Sequence, residues 1–467
     1  MEDAFSERIE IVLRREFDEF YELESCQQLS AGASQETWRI TFRGRSGESR
    51  LALRRCQPKA VSQSGAGAIT LEIEAALLRL AVQSGIPGPE VFYVLQPDDQ
   101  LGSGFIMQWL DGETLGQRIN RAPELADIRP QLARQCGELL GRIHRLPWQN
   151  TALADQLPSI TPAELVDQTW EYYRDINVPV PMIDYTWRWL KDNLPVDSRR
   201  TLVHGDFRNG NLMVTAGAGI NAVLDWELAH IGDPMRDLGW LCVNSWRFGN
   251  SELPVGGFGH LDDLLAGYEG TSGLNVDRQT LRFWQVFGSF WWAMVTLQMA
   301  QAWRTGETPS LERPVIGRRS SEAQMDCVSL LIPGDYRLPA SDDSTVTGTQ
   351  LPMPGELLSG VEAFLRETVA KQLDGHSQFL ARVAANSLSI AQREFRHGAK
   401  IAQEETARLE ALLTANDDLD DLRWELVHQL RDSLPLNTQG LAEHLRQTVA
   451  CQLFLDQPGY SALKNEY

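Results

Sequence analysis

Three oxygen-bearing side chains follow one another at short spacing in the middle of the chain. Asp206 lies in a His-Gly-Asp turn after an apolar run, Asn211 comes five residues later, and Asp225 ends the run Ile-Asn-Ala-Val-Leu-Asp. Carboxylate and amide oxygens suit a hard cation such as Mg²⁺, which takes its other ligands from water and substrate phosphates. Phosphoryl transfer needs such a metal and a carboxylate that accepts the proton of the attacking hydroxyl. The residue types and spacing therefore indicate phosphoryl-transfer chemistry.

Two apolar runs on either side of a Gly/Ala turn predict a β-hairpin that positions these side chains. One strand is expected at 211–214 and the other at 220–225. A register centred on Ala218 places Asn211 opposite Asp225, so both side chains emerge at the open end of the hairpin with Asp206 nearby. The alternative is that Asp206 and Asn211 only shape turns and that Asp225 caps an element.

The surrounding elements follow from hydrophobic periodicity. Strand-like runs alternate with turns over 1–110 around one helix pattern that ends near Gly85, and helical patterns dominate 113–200 and 261–333. Residues 336–354 are rich in Pro, Ser, Thr, Asp and Gly, which predicts a linker. Residues 355–467 are almost wholly helical in pattern. The chain is long enough for two or three structural units.

Composition narrows the class of protein. The net charge of −20 over 467 residues argues against a broad nucleic-acid interface. The apolar segment 283–300 contains several polar side chains, so we expect a buried helix and not a membrane span. The scattered cysteines predict neither a zinc site nor a disulfide framework, and the N-terminus lacks the apolar core of a signal peptide. We therefore expect a soluble cytoplasmic protein with no nucleic-acid or membrane partner.

Three runs carry a resemblance to a known family: Val-His-Gly-Asp-Phe-Arg-Asn-Gly-Asn-Leu-Met-Val, Leu-Asp-Trp-Glu and Gly-Asp-Pro-x-x-Asp-Leu-Gly. They resemble the aminoglycoside phosphotransferase and choline kinase-like superfamily, and within it a branch associated with acyl-CoA metabolism. The resemblance covers about residues 1–333. It implies an α+β, two-lobed protein kinase-like fold, with a strand-rich lobe at 1–110 and a mainly helical lobe at 111–335. Residues 355–467 resemble a helical domain of unassigned function attached to some bacterial members.

The resemblance also implies an activity and roles for the central residues. The expected reaction is transfer of the γ-phosphoryl group of ATP, with Mg²⁺, to a hydroxyl of a small molecule. Asp206 would be the catalytic base, and Asn211 and Asp225 would bind the metal ions. Asp237 would brace the catalytic loop and His204 would support its geometry, although a histidine at this position is equally consistent with a core residue.

Arg54 stands where protein kinases carry a phosphate-binding lysine, at the end of the run Leu-Ala-Leu-Arg. Its planar guanidinium can hold phosphate oxygens with two parallel hydrogen bonds, so the electrostatic role survives the replacement. The alternative is an exposed cationic residue, with Arg55 as its twin. The family pattern pairs Arg54 with Glu74 on the following helix, and Glu72 is the competing choice.

Two further segments are expected to contact the nucleotide. The run from Leu29 to Trp38 resembles the loop over the phosphates, where Gly32, Ala33 and Ser34 would bring backbone N–H groups to the phosphate. It has few glycines, so it is weak evidence alone. Residues 105–110, which include Met107 and Trp109, would link the lobes and bind the adenine edge through backbone groups.

Several alternatives stay open. A protein kinase is disfavoured because only seven residues separate Asp225 from Asp233, which leaves no room for an activation segment. A non-catalytic nucleotide-binding module remains as the non-enzyme alternative. The acceptor is either a hydroxyacyl-CoA-type metabolite or an aminoglycoside or other amino alcohol. The region 355–467 either packs against the kinase-like unit or forms a homodimer through an amphipathic face.

Overall fold

The structure is a computed structural model that describes residues 2–31, 35–45, 47–56, 69–196, 198–307, 310–339 and 354–463. Its backbone contacts divide the chain into two compact units. The first combines strands and helices and is called the mixed unit; it contains residues 1–161, 197–242 and 246–281. The second is called the helical unit and contains residues 162–196, 243–245 and 282–467. The predicted boundaries at 335 and 354 stay predictions.

Strands and helices are interspersed up to Gly232, and the described elements that follow are all helical. The N-terminal part contains α1 (Glu2–Glu16), β1 (Phe20–Ala31), β2 (Glu36–Gly44), β3 (Gly47–Cys56), α2 (Leu71–Gln83), β4 (Val91–Val94), β5 (Ser103–Gln108), α3 (Gly116–Arg121) and α4 (Leu132–Ile143). The central part contains α5 (Pro162–Ile176), α6 (Pro181–Asp192), β6 (Thr201–Val203), β7 (Leu212–Thr215), β8 (Gly219–Val223), β9 (His230–Gly232), α7 (Met235–Leu241) and α8 (Leu261–Ser272). The C-terminal part contains α9 (Arg278–Arg304), α10 (Glu312–Arg318), α11 (Ser320–Leu331), α12 (Pro354–Phe364), α13 (Ala370–Gln372), α14 (Gly375–Leu413), α15 (Leu419–Asp432) and α16 (Leu441–Asp456), with a π-helical turn between α12 and α13.

An antiparallel sheet in the order β1-β2-β3-β5-β4 forms the strand-rich part of the mixed unit. Successive side chains of a strand point to opposite faces. Leu51 and Leu53 of β3 point to the face covered by α1 and join its core. Arg54 points to the other face, so the alternation that buries the leucines presents this cation to the side away from α1. The lobe thus carries α1 in addition to the predicted helix α2.

The α2 helix places an acid among apolar side chains. Thr70 caps its N-terminus by accepting a hydrogen bond from the Ile73 backbone N–H. Leu71, Ala75 and Leu78 are buried on the inner face, and Glu74 is buried with them at 1% exposure. A carboxylate in such surroundings requires a cation or hydrogen-bond donors. Glu74 therefore marks the helix face turned toward the candidate site.

Helices α4 and α8 pack closely because glycines face each other. A Cβ atom on Gly137 would lie 2.1 Å from the Leu264 carbonyl oxygen, so a larger side chain would separate the helices. The contact fixes His144, just after α4, against the Tyr268 hydroxyl of α8 at 3.0 Å. His144 in turn contacts Asp237 on α7.

A common hydrophobic core joins elements of the helical unit that are far apart in sequence. Buried side chains from α6 and α11 pack with those of α14, α15 and α16. The core residues are Met182, Tyr185, Met325, Cys327, Val328, Ile332, Leu409, Leu422, Leu426, Leu430, Leu441, Leu445, Val449, Ala450, Leu453 and Leu463. The helices beyond residue 355 therefore share their core with helices that precede residue 335.

The apolar segment 283–300 lies within the 27-residue helix α9. Phe283, Trp284, Phe287 and Phe290 on this helix are buried, as predicted for a core helix. Among the described residues, no helix combines the length and apolar character needed to cross a bilayer. Most of the predicted linker, residues 340–353, lies outside the described residues.

Candidate active site

The loop that carries Asp206 leaves β6 through a glycine in the left-handed region. Gly205 has a φ of +85°, and a Cβ atom there would lie 2.3 Å from the Leu228 carbonyl oxygen. Only glycine fits both the conformation and the close approach. The backbone N–H groups of His204 and Gly205 donate to the two carboxylate oxygens of Asp237 at 2.8 Å each. The loop is therefore held at its N-terminal end by a single carboxylate.

Asp237 is fully buried on α7 and is itself supported from α4. The His144 Nε2 atom lies 3.1 Å from its Oδ2 atom. Burial alone would raise the pKa of Asp237, but hydrogen bonding to His144 and the nearby charged groups lower it to about 2. Asp237 is thus an ionised anchor with three partners. This is the geometry expected of the residue predicted to brace the loop.

His204 connects the Asp206 turn to the end of the hairpin. The backbone N–H of Asp206 donates to its Nδ1 atom at 3.2 Å, so Nε2 carries the proton and donates to the Leu224 carbonyl oxygen at 3.1 Å. Burial lowers the pKa of His204 and favours this neutral form. The imidazole therefore has a positioning contact on each nitrogen.

The Asp206 carboxylate accepts hydrogen bonds from three side chains. Asn211 Nδ2 donates to Oδ2 at 2.6 Å, while Trp240 Nε1 and Arg208 Nε donate to Oδ1 at 2.7 and 2.9 Å. Asp206 is 9% exposed. The pairing of Asp206 with Asn211 agrees with the sequence prediction. The donors Trp240 and Arg208 were not predicted.

The predicted hairpin register is wrong. In the structure Leu212 pairs with Val223 and Thr215 pairs with Gly219, with an irregularity after Met213. The turn is therefore centred nearer Gly217, and Asn211 meets Leu224, whose N–H donates to the Asn211 carbonyl oxygen at 2.8 Å. The prediction centred the turn on Ala218, one residue too late, and the bulge after Met213 makes up only part of that offset, so Asn211 lies one residue out of register with Asp225.

Asp225 leaves the hairpin in a left-handed conformation, with a φ of +64°. Such a φ is uncommon outside glycine and marks a residue that its surroundings hold in place. Its Oδ1 atom accepts from Arg54 Nη2 at 2.5 Å. The same Nη2 atom lies 3.4 Å from Glu227 Oε2. Asp225 is therefore held by a guanidinium from β3.

Glu74 is the partner of Arg54, whereas Glu72 is exposed on α2. Arg54 Nε donates to Glu74 Oε2 at 3.2 Å, and the other carboxylate oxygen of Glu74 accepts from the Trp226 N–H at 3.2 Å. One carboxylate thus connects α2, β3 and the residue after Asp225. The choice between Glu74 and Glu72 that the sequence left open is decided in favour of Glu74 as the contact.

Negative charge exceeds positive charge around Arg54. Three carboxylates, those of Glu74, Asp225 and Glu227, share its guanidinium. Burial raises the pKa of Glu74 to about 7, and Asp225 adds to the shift. Burial and the Asp225 charge likewise raise the pKa of Glu227 to about 7. Arg54 shows the opposite response: burial opposes its charge, but the three carboxylates outweigh burial and raise its pKa.

The predicted residues form two adjoining groups. Asp206 and Asn211 are directly bonded, and Arg54, Glu74 and Asp225 form the second group. The charges of both Asp206 and Asp225 act on His204 and on Glu227, which places the two aspartates in one electrostatic environment. Glu227 was not predicted, although the run Leu-Asp-Trp-Glu contains it.

Of the residues predicted to contact the nucleotide, the structure describes Met107 and Trp109. Met107 on β5 pairs with Ala52, two residues before Arg54 and on the same face of the sheet. Trp109 follows β5, donates from Nε1 to Asp111 at 2.9 Å and has the Arg39 and Arg50 guanidinium groups over its ring at 5.8 Å. Gly32, Ala33 and Ser34 lie outside the described residues.

Two family models match the sequence. Residues 25–274 match the phosphotransferase enzyme family, and residues 371–460 match a domain of unknown function, DUF6285. The second match falls in the helical unit, where α14, α15 and α16 share their core with α6 and α11. The recognised domain of unknown function therefore shares a core with helices outside its own boundaries.

Two curated proteins are similar to part of this chain. Acyl-CoA dehydrogenase family member 10 of Mus musculus is 30% identical over 224 residues, which are 46% of this chain and 20% of that protein. Acyl-CoA dehydrogenase family member 11 of Gallus gallus is 27% identical over 194 residues, 40% of this chain and 24% of that protein. The chain thus spans about a quarter or less of the length of these relatives.

A solved structure shows the fold. A protein from Ralstonia eutropha, assigned as an aminoglycoside phosphotransferase, superposes with a TM-score of 0.55 at 19% identity, over 69% of this chain and 96% of its own. The predicted α+β kinase-like fold with a helical C-terminal region is confirmed. Since the family model also covers more than half of the sequence, the chain belongs to the phosphotransferase enzyme family.

Proposed function

We propose that this protein transfers the γ-phosphoryl group of ATP, with Mg²⁺, to a hydroxyl group of a small molecule. The observation that carries the proposal is the pairing of Asp206 with Asn211 at 2.6 Å on a loop adjoining the charge group of Arg54 and Asp225. A carboxylate for the acceptor hydroxyl, oxygen ligands for a metal and a cation for phosphate are the parts that this reaction requires.

The donor set fits Mg²⁺. Asp225 and Glu227 supply carboxylates, Asn211 supplies an amide oxygen, and the negative charge around Arg54 exceeds what one guanidinium neutralises. The raised pKa of Glu227 reflects that excess, because part of its cause is repulsion from Asp225. We infer that Asn211 and Asp225, with Glu227 beside them, would hold the metal. When bound, the ion would neutralise charge that develops on the phosphate oxygens.

Asp206 is the proposed catalytic base. Its Oδ1 atom accepts from two donors, Trp240 and Arg208, and its Oδ2 atom accepts from Asn211. Three donors hold the carboxylate in one orientation, which is what a proton acceptor needs in order to align an incoming hydroxyl. We infer that Oδ2 accepts the proton, since each carboxylate oxygen can accept two hydrogen bonds.

Arg54 is the proposed phosphate ligand, and Glu74 sets its direction. The two carboxylates that Arg54 also contacts, Asp225 and Glu227, are the proposed metal ligands. With Asp225 and Glu227 as metal ligands, the Arg54 Nη2 group would be available to the phosphates, and the contact of its Nε with Glu74 would hold its direction. Gly32, Ala33 and Ser34 over the phosphates, and Met107 and Trp109 beside the adenine, complete the proposed nucleotide site.

A hydroxyacyl-CoA-type metabolite is the proposed acceptor. The support is that the curated relatives are named as acyl-CoA dehydrogenase family members. An aminoglycoside or other amino alcohol is the second candidate, because family membership alone does not specify the acceptor. A coupled assay for ADP release with each compound class separates them, and turnover with only an aminoglycoside would contradict the CoA proposal.

Replacement of Asp206 tests the reaction itself. We expect Asp206→Asn to reduce phosphoryl transfer from [γ-³²P]ATP by about 10²–10⁴-fold, because loss of a positioned general base has that cost. Asp127→Asn is the matched control, since Asp127 is an exposed aspartate of the same unit. Equal activity of the Asp206→Asn and Asp127→Asn variants would contradict the assignment of the base.

A homodimer and a cytoplasmic location stay predictions. Analytical ultracentrifugation of the full chain tests the first, and a single species at 52.5 kDa would contradict it.

A further inference from the structure

The guanidinium group of Arg208 is held in one direction beside the Asp206 carboxylate. Its Nε atom donates to Asp206 Oδ1 at 2.9 Å, and its Nη1 atom donates to the Asn209 carbonyl oxygen at 2.9 Å. Its Cζ atom lies 4.4 Å from the centroid of the Trp246 ring, so the cation also packs on an aromatic face. All four residues belong to the mixed unit. The guanidinium is therefore oriented before any ligand binds.

One edge of this guanidinium is only half used. The Nε–H bond and one Nη2–H bond of an arginine are parallel, which is why arginine can bind a carboxylate with two parallel hydrogen bonds. Asp206 accepts only from Nε, and its second oxygen accepts from Asn211 at 2.6 Å instead. Nη2 has no hydrogen-bond partner among the described residues and is not a buried atom, and the Arg208 side chain is 26% exposed. A charged donor therefore points along the Asp206 carboxylate to a position that a ligand can reach.

The phosphate acceptor is the ligand that must approach this carboxylate. The proposed base can act only on a hydroxyl within hydrogen-bond distance of Asp206. Nη2 belongs to a guanidinium that is itself bonded to Asp206, so it lies beside the atoms that neighbour the reacting hydroxyl. A cationic N–H group at this position binds an oxygen atom strongly and repels an ammonium group. Arg208 thus favours acceptors that carry an oxygen close to their hydroxyl.

We propose that Arg208 is an acceptor-binding residue whose Nη2 group donates to an acyl oxygen of the substrate, close to the hydroxyl that receives the phosphoryl group. The acyl oxygen belongs to the carboxylate of a free hydroxy acid or to the carbonyl of its thioester, which present the same hydrogen-bond acceptor. An amino alcohol with an ammonium group at this position is disfavoured. This inference rests on the proposed function, because it assigns Arg208 a contact with the substrate of that reaction.

The transferred phosphoryl group is the other source of oxygen atoms near Asp206. If Arg208 contacted that group, it would stabilise the transition state of every acceptor to the same extent. A contact with the acyl oxygen stabilises only the acceptors that carry one. A comparison of matched acceptors therefore distinguishes the two roles.

The test compares Arg208→Lys with Arg134→Lys, a control on α4 of the same unit whose pair with Glu138 is exposed. Lysine keeps the charge and one donor for Asp206 but lacks the parallel N–H groups. The acceptors are the three positional isomers of hydroxybutyrate, the N-acetylcysteamine thioester of each stable isomer, and the butanediol that corresponds to each hydroxybutyrate and lacks the acyl oxygen. The thioesters contain no phosphate, so the phosphates of CoA do not contribute.

We expect the wild-type protein to prefer at least one hydroxybutyryl compound to its butanediol by about 10–100-fold in kcat/KM, since hydrogen bonds to charged groups are among the strong ones. Arg208→Lys should lose most of this preference, and Arg134→Lys should keep it. A fall in kcat that is common to all acceptors in Arg208→Lys reflects the altered donor to Asp206 and leaves the ratio unchanged. Comparison of the free acids with the thioesters identifies which acyl group is the substrate.

The outcomes separate this inference from the proposed function. If Arg208→Lys lowers turnover of acyl compounds and butanediols by the same factor, the acceptor contact is wrong and the proposed function stands. Equal use of both classes by the wild-type protein contradicts the contact as well. Saturation-transfer NMR without ATP measures binding of the same compounds. Binding of an acyl compound that is lost in Arg208→Lys, without transfer to any acceptor, would support the contact and contradict the proposed function. If the wild-type protein neither binds nor phosphorylates any of the acyl compounds, the contact is wrong.

Discussion

Buried acids are treated differently in the two units. In the helical unit, Asp184, Glu322 and Glu405 each pair with a separate arginine: Arg431 at 2.7 Å, Arg319 at 3.0 Å and Arg423 at 2.6 Å. In the mixed unit, Glu74, Asp225 and Glu227 share Arg54. These three acids of the helical unit are therefore balanced by separate arginines, whereas the mixed unit places three carboxylates around one.

The two arrangements are expected to serve different purposes: separate pairs stabilise the fold, and a surplus of carboxylates serves function. A one-to-one buried pair keeps its acid from being an uncompensated charge and thereby maintains the fold. A surplus of carboxylates costs stability and is expected where a protein binds a cation or performs acid–base chemistry.

The largest expected effect follows from removing one of the three carboxylates that share Arg54 in the mixed unit. We expect Asp225→Asn to lower Mg²⁺-dependent turnover by about a hundredfold or more, because a metal ligand that stabilises transition-state charge is worth several kcal/mol. Thermal stability without Mg²⁺ should stay equal or rise, since the change removes repulsion from Glu74 and Glu227. Turnover assays and thermal denaturation measure the two quantities.

The control for this change is Asp262→Asn, which breaks an exposed pair with Arg278 in the same unit. Exposed pairs contribute little, so neither turnover nor stability should move. A loss of stability in Asp225→Asn without Mg²⁺ would show that Asp225 is a structural partner of Arg54, and the contrast between the units would fail.

The second effect concerns the balanced pairs of the helical unit. We expect Arg431→Met to reduce the free energy of unfolding of this unit by about 3 kcal/mol or more, because it leaves the buried Asp184 carboxylate without its cation. Lys191→Met is the control, since its partner Asp167 is 44% exposed and such pairs contribute about 0–1 kcal/mol. Urea unfolding followed by circular dichroism measures both. Equal losses in the two variants would contradict the assigned importance of the Asp184 pair.

The sequence allowed the local parts of this architecture to be predicted. Period-two and period-3.6 patterns identified the strands and helices, and the spacing from Asp206 to Asn211 identified a contact made within one loop. The pairing of Arg54 with Glu74 was also predicted, because a family pattern supplied the partner. In each case the information lies within a short segment or in a motif.

Contacts made through tertiary packing were missed. Trp240 donates to Asp206 from 34 positions away, and nothing in its surroundings in sequence distinguishes it from a core tryptophan. The Gly/Ala turn between β7 and β8 offers several positions for its centre, and centring it on Ala218 placed the register incorrectly. An amphipathic helix predicts that a face is buried but not against which partner. Hydrophobic periodicity therefore could not predict the core that joins α6 with α15 and α16.

Individual titratable groups in the two units should also make opposite contributions to stability as pH changes. Glu74 and Glu227 have their pKa values raised to about 7 in the folded mixed unit, so the folded state binds more protons between about pH 4.5 and 7. Their contribution to stability is present at the acid end and falls as pH rises through that window. In the helical unit, burial and the charges of Arg408 and Arg423 lower the pKa of His444 to about 3. Unfolded chains therefore bind the additional proton below about pH 6.5, and stability falls as pH falls.

His444 provides the smallest and most specific test of this contrast. Neither of its ring nitrogens has a hydrogen-bond partner among the described residues, so an apolar replacement removes no hydrogen bond. We expect the free energy of unfolding of the helical unit to fall by about 1 kcal/mol per pH unit below about pH 6.5, and His444→Leu to remove most of that slope. His428→Leu, at an exposed histidine of α15, should keep it. Denaturant unfolding at pH 5, 6 and 7 measures the slopes, and identical slopes for wild-type protein and His444→Leu would show that this histidine is not the source of the acid sensitivity.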